Sequence, residues 1–93
     1  MITPAFLAHS FTYDGAQLNI YHANKGQGLA RHEHQFSHAC MCNSGSCIIR
    51  KEGTQKVIDK HTQPVNLVAY QWHEIEALED DTVFVNVFAQ GKY

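Results

Sequence analysis

His32 and His34 are separated by a single residue, His38 follows after three more, and His73 stands far downstream. Imidazole is a favoured ligand for divalent transition metals, so this spacing is the first place to look for chemistry. Two residues apart on an extended strand, His32 and His34 point to the same face with their Cα atoms about 6.6 Å apart. Metal–nitrogen bonds of about 2.0 to 2.1 Å set neighbouring ligand nitrogens about 3 Å apart, a distance two imidazoles leaning together can reach. Gln35-Phe36-Ser37 links the pair to His38, and a tight turn there sets His38 beside them on the adjacent strand. The remoteness of His73 is that of a ligand closing the site from across a sheet. Seven histidines among 93 residues are the one compositional outlier. His9, His22 and His61 lie outside this spacing and read as ordinary polar residues, although His22 shares parity with Leu18 and Ile20.

The elements that must hold these side chains read as short strands. Ala16 to Ala23 follows the Asp14-Gly15 turn and precedes the break at Asn24-Lys25-Gly26-Gln27-Gly28. Further strands are predicted at Leu29 to His34, Ser37 to Cys42, Cys47 to Lys51, Gln55 to Asp59, Asn66 to Tyr70, His73 to Leu78 and Thr82 to Ala89. Turn signals such as Asn43-Ser44-Gly45-Ser46 separate them. No segment repeats at 3.6 residues. Short strands without crossover helices predict an all-β domain, a small antiparallel barrel or jelly roll. Residues 1–15 are expected as an irregular N-terminal arm and 16–93 as the barrel domain.

A net charge of −2 with thinly spread basic residues gives no footprint for a nucleic-acid backbone or an anionic membrane surface. The N-terminal stretch lacks a basic lead before an apolar run, and no window reaches the roughly 18 apolar residues of a spanning helix. A cytoplasmic protein is therefore expected. Cys40, Cys42 and Cys47 are an odd set within eight positions, which suits reduced thiols better than a disulfide framework. Cys40 and Cys42 share parity with His38, which leaves both small buried residues and a mixed histidine–cysteine site open. A chain this short has a small core and exposed strand edges, so a homodimer is expected to cover them.

Gly26, His32, His34, His38 and Gly45 have the spacing G-x5-H-x-H-x3-H-x6-G. This resembles the first conserved motif of the cupins, G-x5-H-x-H-x3-E-x6-G, with His38 in the place of the glutamate. His73 aligns with the histidine of the second motif, G-x5-P-x-G-x2-H-x3-N, where Thr62, Val68, Tyr70 and Ala77 replace the Gly, Pro, Gly and Asn. The resemblance spans about residues 16 to 89. It implies a cupin barrel holding one divalent transition metal (Zn, Fe, Ni, Cu or Mn) on His32, His34, His38 and His73, with a small-molecule ligand inside.

Histidine for glutamate makes the site all-imidazole and leaves the ion's charge uncancelled. Three functions follow from such a site. One is a metal-dependent enzyme of the dioxygenase-like or isomerase-like kind, another a binding or sensing module without turnover, and the third a structural metal. Whether a coordination position stays open decides among them.

Overall fold

A computed structural model describes all residues from Met1 to Tyr93. Ten strands follow in chain order: β1 (Thr3–Pro4), β2 (Phe6–Tyr13), β3 (Ala16–Ala23), β4 (Gln27–His32), β5 (His38–Ser44), β6 (Ser46–Lys51), β7 (Thr54–Asp59), β8 (Val65–Leu67), β9 (His73–Ala77) and β10 (Thr82–Ala89). They form two five-stranded sheets, ordered β1-β4-β9-β6-β7 and β2-β3-β10-β5-β8. All pairings are antiparallel except that of β1 with β4. The jelly-roll alternative is the one realised: the sheets lie as a sandwich and are not joined edge to edge into a closed barrel. No helix of the structure is long and apolar enough to cross a membrane.

The segment expected to be an irregular arm contains β1 and β2, which extend the two sheets through β4 and β3. Its strand character was hidden because β2 is exposed along nearly its whole length, so no buried face imposes an alternating pattern.

Strand alternation sorts the interior. Thr82, Phe84, Asn86 and Phe88 of β10 point inward and are buried. Tyr21 of β3 stacks on Phe84, with ring centroids 4.9 Å apart and planes 14° from parallel. Cys40 and Cys42 of β5 join Cys47, Ile49, Ile58, Ile75 and Ala77 in the same apolar cluster. All three cysteines are free and buried. Sγ of Cys42 lies 3.9 Å from Sγ of Cys47, and burial pushes all three thiols up, Cys40 to about 12.

Gly26 and Gly45, the outer glycines of the H-x-H segment, have φ of 89° and 72°. That left-handed backbone favours glycine and lets the chain reverse at the start of β4 and between β5 and β6. The histidines gather at the opposite end of the sandwich from Gly45, at the end of β4 and the starts of β5 and β9.

Candidate metal centre

His32 closes β4 and pairs directly with His73, the first residue of β9. The register slips between Leu29 and His32, so the expected strand Leu29 to His34 stops at His32 and leaves His34 in the link to β5. The ring still returns to the same place. His34 lies 5.3 Å from His32 and 5.1 Å from His73, ring centroid to ring centroid, and His32 lies 4.4 Å from His73.

The loop before His73 is pinned to this link. The Tyr70 N–H donates to the His34 carbonyl at 2.9 Å, and the Ala69 N–H donates to the Ser37 hydroxyl at 3.0 Å. Tyr70, at the second glycine position of the degraded motif, has φ of 65°. The Tyr70 side chain avoids conflict by standing outward, with 70% of the residue exposed.

Each of the four rings has its Nδ1 facing a main-chain carbonyl. The distances are 2.7 Å from His32 to Ala30, 2.8 Å from His34 to Phe36, 3.4 Å from His38 to Ala39 and 3.2 Å from His73 to Gln71. A carbonyl only accepts, so these contacts place the proton on Nδ1 and the lone pair on Nε2. Nε2 of His34, His38 and His73 is buried without any hydrogen-bond partner. Buried polar atoms are rarely left unpaired, so each of these nitrogens is available to a bound group.

His32, His34 and His73 each offer a nitrogen within 4.8 Å of the others, close enough to hold a metal ion after small ring movements. His38 stands beside this group rather than within it, with its ring 4.9 Å from His34 and 5.3 Å from His73. No cysteine or carboxylate belongs to the group. The donor set is neutral nitrogen, which fits the borderline transition metals and not magnesium or calcium. Burial above all lowers the pKa of both His38 and His73 to about 4, and the neighbouring histidines push the same way. Both rings are therefore neutral at physiological pH, the form in which imidazole binds metal.

Residues flanking the group fall as follows. Arg31 points outward, as its position between Ala30 and His32 implies, with its guanidinium 3.9 Å above the Trp72 ring. Glu74 and Glu76 lie on the same outer face, paired with Arg50. His9, His22 and His61 are exposed and lie outside the histidine group. The largest cavity, about 420 Å³ between Phe6, His22, Asn24 and Asp81, is remote from the group. A groove of about 330 Å³ bordered by Pro4, Leu29, His32 and Tyr93 reaches it.

Tyr93 is the participant that sequence reasoning missed. Its ring packs on His34 at 4.7 Å, on His38 at 5.5 Å and on Phe88 at 4.6 Å. Nothing in its spacing marks it, because the Gln90-Gly91-Lys92 turn breaks the parity of β10 before the chain reaches it.

No protein-family model matches the sequence, and no curated protein matches it. Solved structures do match. KdgF from Halomonas sp. is 14% identical with a TM-score of 0.77, over 87% of this chain and 74% of its own. A cupin superfamily protein from Desulfitobacterium hafniense is 10% identical with a TM-score of 0.76, over 96% of this chain and 80% of its own. A cupin 2 domain-containing protein from Halorhodospira halophila is 12% identical with a TM-score of 0.82, over 97% of this chain and 67% of its own. With the two-sheet topology and the histidines at one end of the sandwich, these likenesses establish that the chain has the cupin fold.

Proposed function

We propose that this domain is a small metal-dependent enzyme of the dioxygenase-like or isomerase-like kind. His32, His34 and His73 hold one divalent transition metal, His38 is the fourth ligand, and a small organic substrate binds inside the sandwich. The observation that carries this reading is the grouping of His32, His34 and His73, each offering a nitrogen within 4.8 Å of the others and each with its Nδ1 facing a main-chain carbonyl. When bound, the ion supplies a Lewis-acid centre whose charge no carboxylate offsets. The protein's own part is to hold four rings in one tautomer and to shield them from water.

The group contains no carboxylate to accept a proton. The substrates that suit it are those whose reacting proton is already acidic: enediols, thiols and diketones. Metal analysis of the purified protein against a His32→Ala/His34→Ala variant tests the centre, and equal metal content in the two would sink it. Oxygen uptake or isomerisation by the loaded protein with these three substrate classes tests turnover. Silence with all of them favours the second reading, a binding module.

We further propose that the protein is a cytoplasmic homodimer. Three free cysteines suit a reducing compartment. The second sheet supports the dimer: β2, β3, β5 and β10 contain no Asp, Glu, Lys or Arg. Its outer face presents Phe6, Phe11, Tyr13, Leu18, Ile20 and Met41, with His9 and His22 among them. Four strands about 4.8 Å apart and seven or eight residues long give a flat footprint of about 500 Å². That is near the upper limit of an apolar patch on a monomer, and side-chain relief carries it toward the roughly 800 Å² per partner of a stable interface. A face without Asp, Glu, Lys or Arg meets its own copy with little electrostatic penalty. Sedimentation at micromolar concentration is expected to give twice the chain mass, and a monomer there would refute the dimer.

A further inference from the structure

The pairing register carries the inner face of the first sheet past the histidines. His32 on β4 lies opposite His73 on β9, His73 opposite Lys51 on β6, and Lys51 opposite Thr54 on β7. Directly opposed residues share a face, so these four side chains form one row across strands about 4.8 Å apart. Buried Cys47 and Ile49 share parity with Lys51, and buried Ile58 with Thr54 and Lys56, which sets the row on the interior side.

Lys51 is the cation of that row. It is half-buried, and its Nζ donates to the Asn66 carbonyl of β8 at 3.5 Å, across the gap between the sheets. Asn66 precedes Leu67, which pairs with His38, so the ammonium stands at the histidine end of the sandwich. Beside it lies a cleft of about 340 Å³ between the β6–β7 hairpin and the segment entering β8, whose walls include Ile49, Lys51, Thr54, Lys56, Gln63 and Val65 and no carboxylate. Neither lysine belongs to an ion pair, whereas Arg31 and Arg50 on the outer face of the same sheet both do. A charge turned toward the interior ordinarily has a partner, and none of this chain's acids supplies one to Lys51.

We propose that this cleft binds the acid group of a small anionic organic molecule, a phosphate monoester or a carboxylate, with Lys51 as its main partner and Lys56 and the Thr54 hydroxyl beside it. The rest of that molecule extends along the row to the histidines one strand away. This extension rests on the proposed metal-dependent function; the anion cleft does not. Charge selects the class. Neutral imidazoles holding a divalent ion and two unpaired ammoniums share one end of the sandwich, and neither the histidine group nor the cleft contains an acid, so both attract an anion. The volume is at the lower end of ligand pockets, which suits a small molecule. Lysines act as point charges without the planar fork of arginine, which favours the phosphate over the carboxylate.

The test uses glycerol 3-phosphate, glycerate and glycerol, which share a three-carbon skeleton and differ in the head group. Binding is read by calorimetry on metal-loaded and metal-free protein, with metal content assayed on the same samples. Glycerol 3-phosphate is expected to bind at least about tenfold more tightly than glycerol, and Lys51→Gln to remove at least about tenfold of that affinity. Lys56→Gln, at an exposed position outside the core, is expected to remove about threefold. Lys60→Gln, which changes the net charge equally but lies outside the cleft, leaves the affinity unchanged. Tighter binding of the phosphate than of glycerate assigns a phosphate monoester and the reverse a carboxylate; either supports the cleft. Equal affinity for glycerol and both anions, affinities unmoved by Lys51→Gln and Lys56→Gln, or an equal loss in Lys60→Gln would each overturn it. Loading the metal is expected to raise the affinity for the preferred anion at least about tenfold, and no change would overturn the extension to the histidines. A protein that takes up no metal yet binds the anion through Lys51 supports the cleft while refuting the metal centre, so the two readings fail separately.

Discussion

The two sheets of this sandwich have five strands each, but their outer faces are built on opposite principles. On the first, Arg31, Glu74, Arg50 and Glu76 form a chain of ion pairs at 3.5, 3.2 and 2.9 Å. On the second, the four long strands carry no charge, and Phe6, Phe11 and Tyr13 remain 69%, 48% and 75% exposed. The first sheet is finished toward water. The second is finished only if another surface covers it. The four histidines draw on both, with His32 and His73 on the first sheet, His38 on the second and His34 in the connection between them. The site therefore depends on how the sheets face each other, and each outer face can be altered without touching it.

The largest effect is expected where the second sheet meets the core. Phe84 is fully buried and stacked on Tyr21, so Phe84→Ala should lower the unfolding free energy by about 3–5 kcal/mol in denaturant titration. A loss below about 1 kcal/mol would mean that this sheet does not pack as described. Next is its outer face. Ile20 lies opposite Val85 at the centre of that face, and Ile20→Glu should weaken the proposed dimer by at least about 100-fold in sedimentation, since it places a carboxylate in an apolar contact. An unchanged association would erase the distinction between the two faces.

A smaller effect concerns the interior shared by the sheets. His38 and His73 are neutral when folded and ionise only near pH 4, whereas in the unfolded chain histidine ionises near 6.5. Between these values the unfolded state binds more protons. The metal-free protein should keep full stability above pH 6.5 and lose it progressively as the pH falls to about 4, followed by melting temperature. His38→Gln/His73→Gln should flatten that profile. The smallest effect belongs to the first sheet's outer face. Arg50 is about one third exposed, and Arg50→Ala should cost only about 0.2–1 kcal/mol, diminishing with added salt. A loss comparable to that of Phe84→Ala would show the ion pairs to be structural.

Much of the fold was legible along the chain. Ala16–Ala23 and Thr82–Ala89 match their expected bounds to the residue, because each is a long β-rich run closed by turn residues. The β4 boundary was misplaced by two residues at each end, since the register slip after Leu29 arises from pairing with β9 and leaves no local mark. β2 escaped notice for lack of a buried face. The closed barrel and the open sandwich are equally compatible with short alternating strands. Whether the sheet edges meet depends on twist and stagger summed over many strands, which no single segment reveals.

The same division runs through the site. The sequence by itself determined the donor chemistry: the H-x-H spacing, histidine in place of a carboxylate at His38, and a lone His73 downstream. Only the tertiary structure decided that His32, His34 and His73 form the tight group with His38 standing beside it, and that the Tyr93 ring packs on His34 and His38. Those outcomes turn on distances of a few ångströms between residues far apart in the chain. Strand register, one slip in β4 and the turn after β10 set such distances, and these are settled when the sheets pack.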